Sequence, residues 1–211
     1  MCMNVAFKMR PNVIAKSPPV SAVVRPMPAI KSPDLKSMMF SGDGSVPNNP
    51  HLPFLFYRNA IDLAGTANPE EAVENVFRNN GWGEMWRNGI YEYSHYHSMT
   101  HEVMGIARGR AKVRFGGAKG RQIDLAQGDV VVLPAGTGHQ GLWVSPELVV
   151  IGAYATNGRF DVCRGSKVEY AKAIEAIPQV PLPESDPAFG KKGPLMRLWR
   201  VNSKIKLLSP L

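Results

Sequence analysis

Between Glu102 and Tyr154 the chain breaks into short segments, each closed by a turn signal, and no helix of ordinary length fits between the turns. The segments are Glu102 to Arg108, Arg110 to Phe115, Arg121 to Ala126, Val130 to Leu133 and Glu147 to Tyr154. Gly109-Arg110, Gly116 to Gly120, Gln127-Gly128-Asp129 and Ser145-Pro146 separate them. Arg110, Lys112 and Arg114 alternate with Ala111, Val113 and Phe115, the pattern of a strand with one solvated face. Short strands at this spacing predict a mainly all-β sandwich or closed barrel. No repeat of solenoid period interrupts the series.

Upstream, Pro53 to Tyr57 reads as a short strand. Asn68 then reads as an N-cap, with Pro69 at the first helical position and Glu71 completing a capping-box-like arrangement. Ala72, Val73, Val76 and Phe77 recur at helical spacing, so one short helix is predicted to lay an apolar stripe on the barrel and to end near Asn79-Asn80-Gly81. Asn88-Gly89 suits a tight hairpin, with a strand expected from Ile90.

The first 37 residues differ in texture. Six prolines (Pro11, Pro18, Pro19, Pro26, Pro28 and Pro33) preclude a long amphipathic helix and argue against a transit peptide. Residues 1–37 are therefore expected to be a disordered basic leader, or sequence upstream of a start at Met38 or Met39. One domain is expected over 38–200, with a mildly apolar tail at 201–211. The leader carries six Lys or Arg against Asp34 alone, +5 of the chain's formal +8, so the folded part is too weakly charged to call for nucleic acid. Cys2 and Cys163 are far apart and offer neither a disulfide framework nor a thiolate cluster. No apolar run reaches the length of a membrane span, and a cytoplasmic protein without membrane partners is the expectation.

Four of the five histidines fall between residues 95 and 139. On a strand, His95 and His97 share a face, preceded on it by Tyr91 and Tyr93. Glu102 shares its face with Met104 and Ile106, which points inward, and a lone carboxylate buried there is costly unless a cation compensates it. His139 follows the turn Pro134-Ala135-Gly136-Thr137-Gly138, which can swing a further donor towards the same point. Imidazole and carboxylate together suit one divalent ion such as iron, manganese, nickel or zinc. His101 should face away from Glu102, in solvent or behind the ligands, and Cys163 should serve packing. Gly116 to Gly120 match neither a P-loop nor a dinucleotide fingerprint.

The spacing Gly89, His95, His97, Glu102, Gly109 resembles the first motif of the cupins, and Gly128, Pro134, Gly136, His139 most of the second. Trp143 stands where many cupins carry Asn. From about Phe40 to Trp199 the chain further resembles single-domain bacterial cupins of the YjlB type, in Asn80-Gly81-Trp82, Trp86 to Gly89, the run from His95 to Val103, and Gly190 to Leu195. The resemblance implies a double-stranded β-helix or jelly-roll barrel, with His95, His97, Glu102 and His139 as metal ligands. Four ligands on an ion that prefers about six leave roughly two positions open. This favours a metal-dependent oxygenase of a small oxygenated metabolite, against a metal-assisted isomerase or lyase of a sugar-like or keto-acid substrate, or a non-catalytic binding module. The sequence leaves the oligomeric state open; barrels of this kind commonly pair through outer strands, so fold analogy allows a homodimer.

Overall fold

The computed structural model describes residues 28–31, 34–155 and 160–200. Its strands are β1 (Asp34–Met38), β2 (Phe54–Arg58), β3 (Trp82–Asn88), β4 (Glu102–Arg108), β5 (Arg110–Phe115), β6 (Arg121–Ala126), β7 (Val130–Leu133), β8 (His139–Val144) and β9 (Val149–Ala155). Its helices are α1 (Pro69–Asn79) and α2 (Lys167–Ala176), the latter followed by a 3₁₀ turn at Ile177–Gln179, and residues 194–200 form a last helical stretch. The strands form two antiparallel sheets, a large one in the order β1-β2-β7-β4-β9-β3 and a small one in the order β6-β5-β8.

Alternation along the large sheet sorts its apolar side chains onto two faces. Phe54, Phe56, Met104, Ile106, Val131, Leu133 and Val150 project inward and meet Ala111, Val113, Phe115 and Leu125 of the small sheet. Leu55, Tyr57, Val103, Ala107, Val130, Val132, Ile151 and Ala153 project outward, where α1 and residues Leu195, Met196 and Trp199 cover them. The sheet is buried on both sides, which explains why Val130–Leu133 is apolar throughout.

Helix α1 starts where its caps place it. Asn68 Oδ1 accepts the Glu71 amide at 3.2 Å, and Pro69 occupies the first turn. The buried stripe Ala72, Val73, Val76 and Phe77 rests on β4 at Gly105. A Cβ at that position would come within 2.8 Å of Val73 Cγ1 and 2.9 Å of Phe77 Cζ, so the absence of a side chain sets how closely helix and sheet approach.

Four features depart from the sequence expectations. First, β1 pairs over five residues with β2, Leu35 against the outer core and Met38 against the inner one, so ordered structure begins within the segment expected to be a leader. An edge strand needs one partner and leaves one side in solvent, so its sequence carries little apolar pattern. Residues 1–27 and the tail 201–211 lie outside the described residues. Second, the strand expected from Ile90 is no continuous ladder. His95 bridges His139 and Tyr96 bridges Cys163, so the backbone divides its hydrogen bonds between two neighbours and neither ladder extends. Third, His139 to Val144 is itself a strand, paired with β5. Fourth, α2 is present, closed by a capping box between Ser166 and Glu169; Ala173 packs with Ile177, Tyr96 and Ala135 in a third small core.

Gly105→Ala should therefore wedge α1 off the sheet and cost about 1–3 kcal/mol. Urea unfolding checks this. We expect a lower midpoint at unchanged slope, and an unchanged midpoint would mean that the helix yields freely.

Candidate metal centre

His95, His97 and His139 are brought together at one end of the barrel, all three buried, with donor atoms within 4.8 Å of one another. Paired backbone bonds hold His95 to His139, at 3.1 Å from His95 N–H to the His139 carbonyl and 2.9 Å in return. The Gly136 amide donates to the His97 carbonyl at 2.7 Å, and a positive φ of 90° lets Gly136 make that turn. Glu102 begins β4, directly opposite Tyr154 of β9, and projects to the inner face as the alternation predicts.

The three imidazoles share one hydrogen-bonding scheme. Nδ1 of His95 faces the Tyr93 carbonyl at 3.3 Å, Nδ1 of His139 faces that of Thr137 at 3.2 Å, and Nδ1 of His97 donates to the Asp161 carbonyl. A carbonyl only accepts, so each Nδ1 carries the proton and each Nε2 is left with its lone pair directed at the cluster. Glu102 Oε2 lies 3.5 Å from His97 Nε2 and 3.4 Å from His139 Nε2. It is buried and makes no hydrogen bond.

That orphaned oxygen tests whether a metal fits. A buried, unpartnered carboxylate is expensive, by several kcal/mol. A cation among the four groups would compensate it, and the edges of a coordination polyhedron with bonds of about 2.1 Å are roughly 3.0–3.4 Å, close to the two separations found. The donor set is therefore suited to a metal ion.

Burial disfavours charge on every member of the cluster. It pushes His139 down to about 3, helped by the neighbouring His95, and it lowers His95, helped by His97. Burial would also raise Glu102, but His97, His139 and His95 outweigh it and hold the carboxyl below its usual range. At His97, Glu102 outweighs burial and raises the imidazole above its ordinary value. A metal ion at the His97 Nε2 would compete with protonation there.

A cavity of about 650 Å³ opens from the cluster. Trp86, Ile90, Met104 and Phe160 form apolar wall, and Tyr91 and Tyr154 bring hydroxyls. Ile106, on the same strand face as Met104, packs between the sheets and does not reach it. Tyr91 and Tyr93 stack at 4.8 Å, and both rings lie against His95. Trp143 is exposed and takes no part.

His101 is neither in solvent nor behind the ligands. It lies fully buried, accepts the Ala135 amide on Nδ1 at 2.9 Å and packs its ring on Trp199 at 4.7 Å, from the helical stretch 194–200. Burial pushes it down to about 3, so it is a neutral core histidine. Its strand position was legible; the helix covering that face was not.

Sequence reasoning missed Asp161. Its carboxylate accepts the Ser98 amide at 2.8 Å, the Ser98 hydroxyl at 2.6 Å, the Met99 amide at 3.1 Å and the Cys163 thiol at 3.1 Å, while its carbonyl holds His97. One residue thus ties the 160–163 segment to the turn after His97. Cys163 is buried as expected, its thiol pushed up to about 12 by burial and by Asp161.

Two antiparallel sheets closed around one core, with a histidine cluster and a carboxylate at the motif positions between them, define a cupin barrel. No family model matches the sequence. The sequence is 39% identical over 166 residues to the uncharacterized protein YjlB of Bacillus subtilis strain 168, covering 79% of this chain and 97% of that protein, and the chain belongs to the YjlB family. Among solved structures, an acireductone dioxygenase from Bacillus anthracis with cadmium in its active centre is similar at TM-score 0.31 and 18% identity, over 42% of this chain and 60% of that one. The epimerase RmlC from Legionella pneumophila matches at TM-score 0.28 and 11% identity, over 57% and 70%. An 11S globulin from Wrightia tinctoria matches at TM-score 0.30 and 18% identity, over 37% of this chain and 21% of its own length. Likeness at this level leaves the fold to rest on the strand register described above. Among the described residues no helix is long and apolar enough to cross a membrane.

Asp161→Asn should loosen the turn after His97, because the amide group donates where the carboxylate accepted. We expect exchange of the Ser98 and Met99 amides to quicken by about five- to tenfold in hydrogen–deuterium exchange. Unchanged protection would show that the turn holds without the carboxylate.

Proposed function

We propose that this chain is a metal-dependent oxygenase acting on a small oxygenated metabolite, with His95, His97, Glu102 and His139 as the ligands of one divalent ion. The observation that carries the reading is the shared imidazole scheme. Three Nδ1 atoms are committed to backbone carbonyls, so three Nε2 lone pairs and the orphaned Glu102 oxygen converge at the head of a cavity. When bound, the ion would supply Lewis acidity and open positions for a chelating substrate and dioxygen. Redox chemistry calls for iron, manganese or nickel rather than zinc.

The chain's own residues supply the rest. Met104, Trp86 and Phe160 exclude water from the space beside the ligands. Tyr154 lies with its ring 5.4 Å from that of His97. Burial, and then the nearby Glu102, push its phenol well above the usual range, so it keeps its proton and donates to a substrate oxygen. This donor equally serves the alternative, a metal-assisted isomerase or lyase, which needs a proton held at one substrate oxygen and no oxidant.

Two measurements test the reading. His97→Ala and Glu102→Gln should each lower metal affinity by at least about tenfold, whereas His101→Ala should leave it nearly unchanged. Titration of the metal-free chain followed by elemental analysis checks this, and undiminished loading in both ligand variants would remove the site. Screening of oxygenated metabolites should then find a substrate consumed together with oxygen. Equal turnover under strict anaerobiosis would replace the oxygenase by the isomerase or lyase.

A further inference from the structure

Trp82 and Trp86 stand four residues apart on β3 and would share a face in a regular strand. They do not. Trp82 packs in the outer core under α1 and Trp86 against the inner one, because the register with β9 shifts between Gly83, opposite Tyr154, and Trp86, opposite Gly152. Gly152 leaves room for the Trp86 indole, where any Cβ would collide with it. The residue absorbing this bulge is Glu84, in the left-handed region at φ 49°.

The choice of residue is unusual. The other non-glycine residues at positive φ among the described residues are Asn48 and Asn59, a type that tolerates this conformation. Glycine or asparagine would serve the bulge with less strain, and such strain persists where a side chain has another use. Glu84 lines the metal-centre cavity and is exposed, so its carboxylate stands in solvent with no hydrogen bond or ion pair to a described residue.

The charge balance of the cavity points to a ligand class. Among its described lining residues there is no Lys or Arg; beyond the histidines, the ionised groups are Glu102, committed to the cluster, and Glu84. The cavity that Glu84 lines is otherwise largely aromatic, with Trp86, Tyr91, and Tyr154 stacked on Phe160 at 5.2 Å. A carboxylate among aromatic faces recognises an organic ammonium group.

We propose that Glu84 is a substrate-binding residue that selects chelating substrates carrying a cationic amine on the arm remote from the metal. This rests on the metal-site reading above and deepens it by naming the substrate class.

The test uses the metal-loaded full chain and three chelating probes that differ only in the arm: catechol, 4-(2-aminoethyl)catechol and 3,4-dihydroxyphenylacetate. We expect the amine-armed probe to bind about tenfold more tightly than the carboxylate-armed one. In Glu84→Gly and Glu84→Asn that ratio should fall to about one, while Tm holds or rises because both residues relieve the positive φ. A carboxylate-armed probe bound equally or better by the unmodified chain overturns the proposal. So does a preference that survives both substitutions, or a sharp drop in Tm in both, which would make Glu84 a structural residue. Failure of the chain to load metal removes the metal-site reading and this proposal with it, and failure of plain catechol to bind the loaded chain removes the chelating-substrate reading and the proposal; both outcomes are distinct from the others.

Discussion

A carboxylate with an unpartnered oxygen, buried among three imidazoles, is the constraint around which this molecule is arranged. Glu102 sits on the inner face of the large sheet, where water cannot solvate it, and its neighbours hold it ionised. Such a group is tolerable only with positive charge close by, so the surrounding backbone is organised to present lone pairs at the same point. Each of the three histidines donates its Nδ1–H to a carbonyl of a different segment: Tyr93 just before His95, Thr137 in the turn before His139, and Asp161 from beyond β9. The centre is a meeting place of three stretches of chain, and its precision depends on all of them.

The two-sheet architecture makes that meeting possible. A sheet buried on both faces can give one face to stability and the other to chemistry. On β4, Val103 and Ala107 face α1, while Glu102 and Met104 face the barrel interior. His101 follows the same alternation and lands in the outer core, held by Ala135 and Trp199. Two adjacent ionisable residues thus meet opposite fates, one at the histidine cluster and one as a neutral packing element, because a strand turns consecutive side chains to opposite sides.

The cavity's wall comes from less regular elements. The bulge in β3, the bridged segment around His95 and the return after β9 each contribute residues whose placement follows from local departures from ladder geometry. Irregular backbone aims side chains that regular strands would send elsewhere. That is consistent with the cavity, rather than the ligand cluster, carrying whatever distinguishes this chain's ligand from those of other barrels.

From the sequence alone, the strands β4 to β7, the capped helix α1 and the identity of the four clustered residues were legible, since each rests on local rules: period-two alternation, turn glycines, an N-cap with proline, and histidine spacing. The capping box at Ser166 and Glu169 was equally local and was overlooked. Beyond its reach lay whatever depends on a distant partner. β1 is a strand because β2 is there to pair with it, the segment from Ile90 fails to form a ladder because it is shared between His139 and Cys163, and His101 is buried because 194–200 covers it. Asp161 orients His97 across 64 positions of chain, a contact no local pattern announces. Sequence by itself determined which side chains could hold a cation and which face of each strand they occupy; only the tertiary structure decided how closely they converge, what holds their rings, and what lines the space before them, because those depend on through-space contacts between segments that carry no mark of one another.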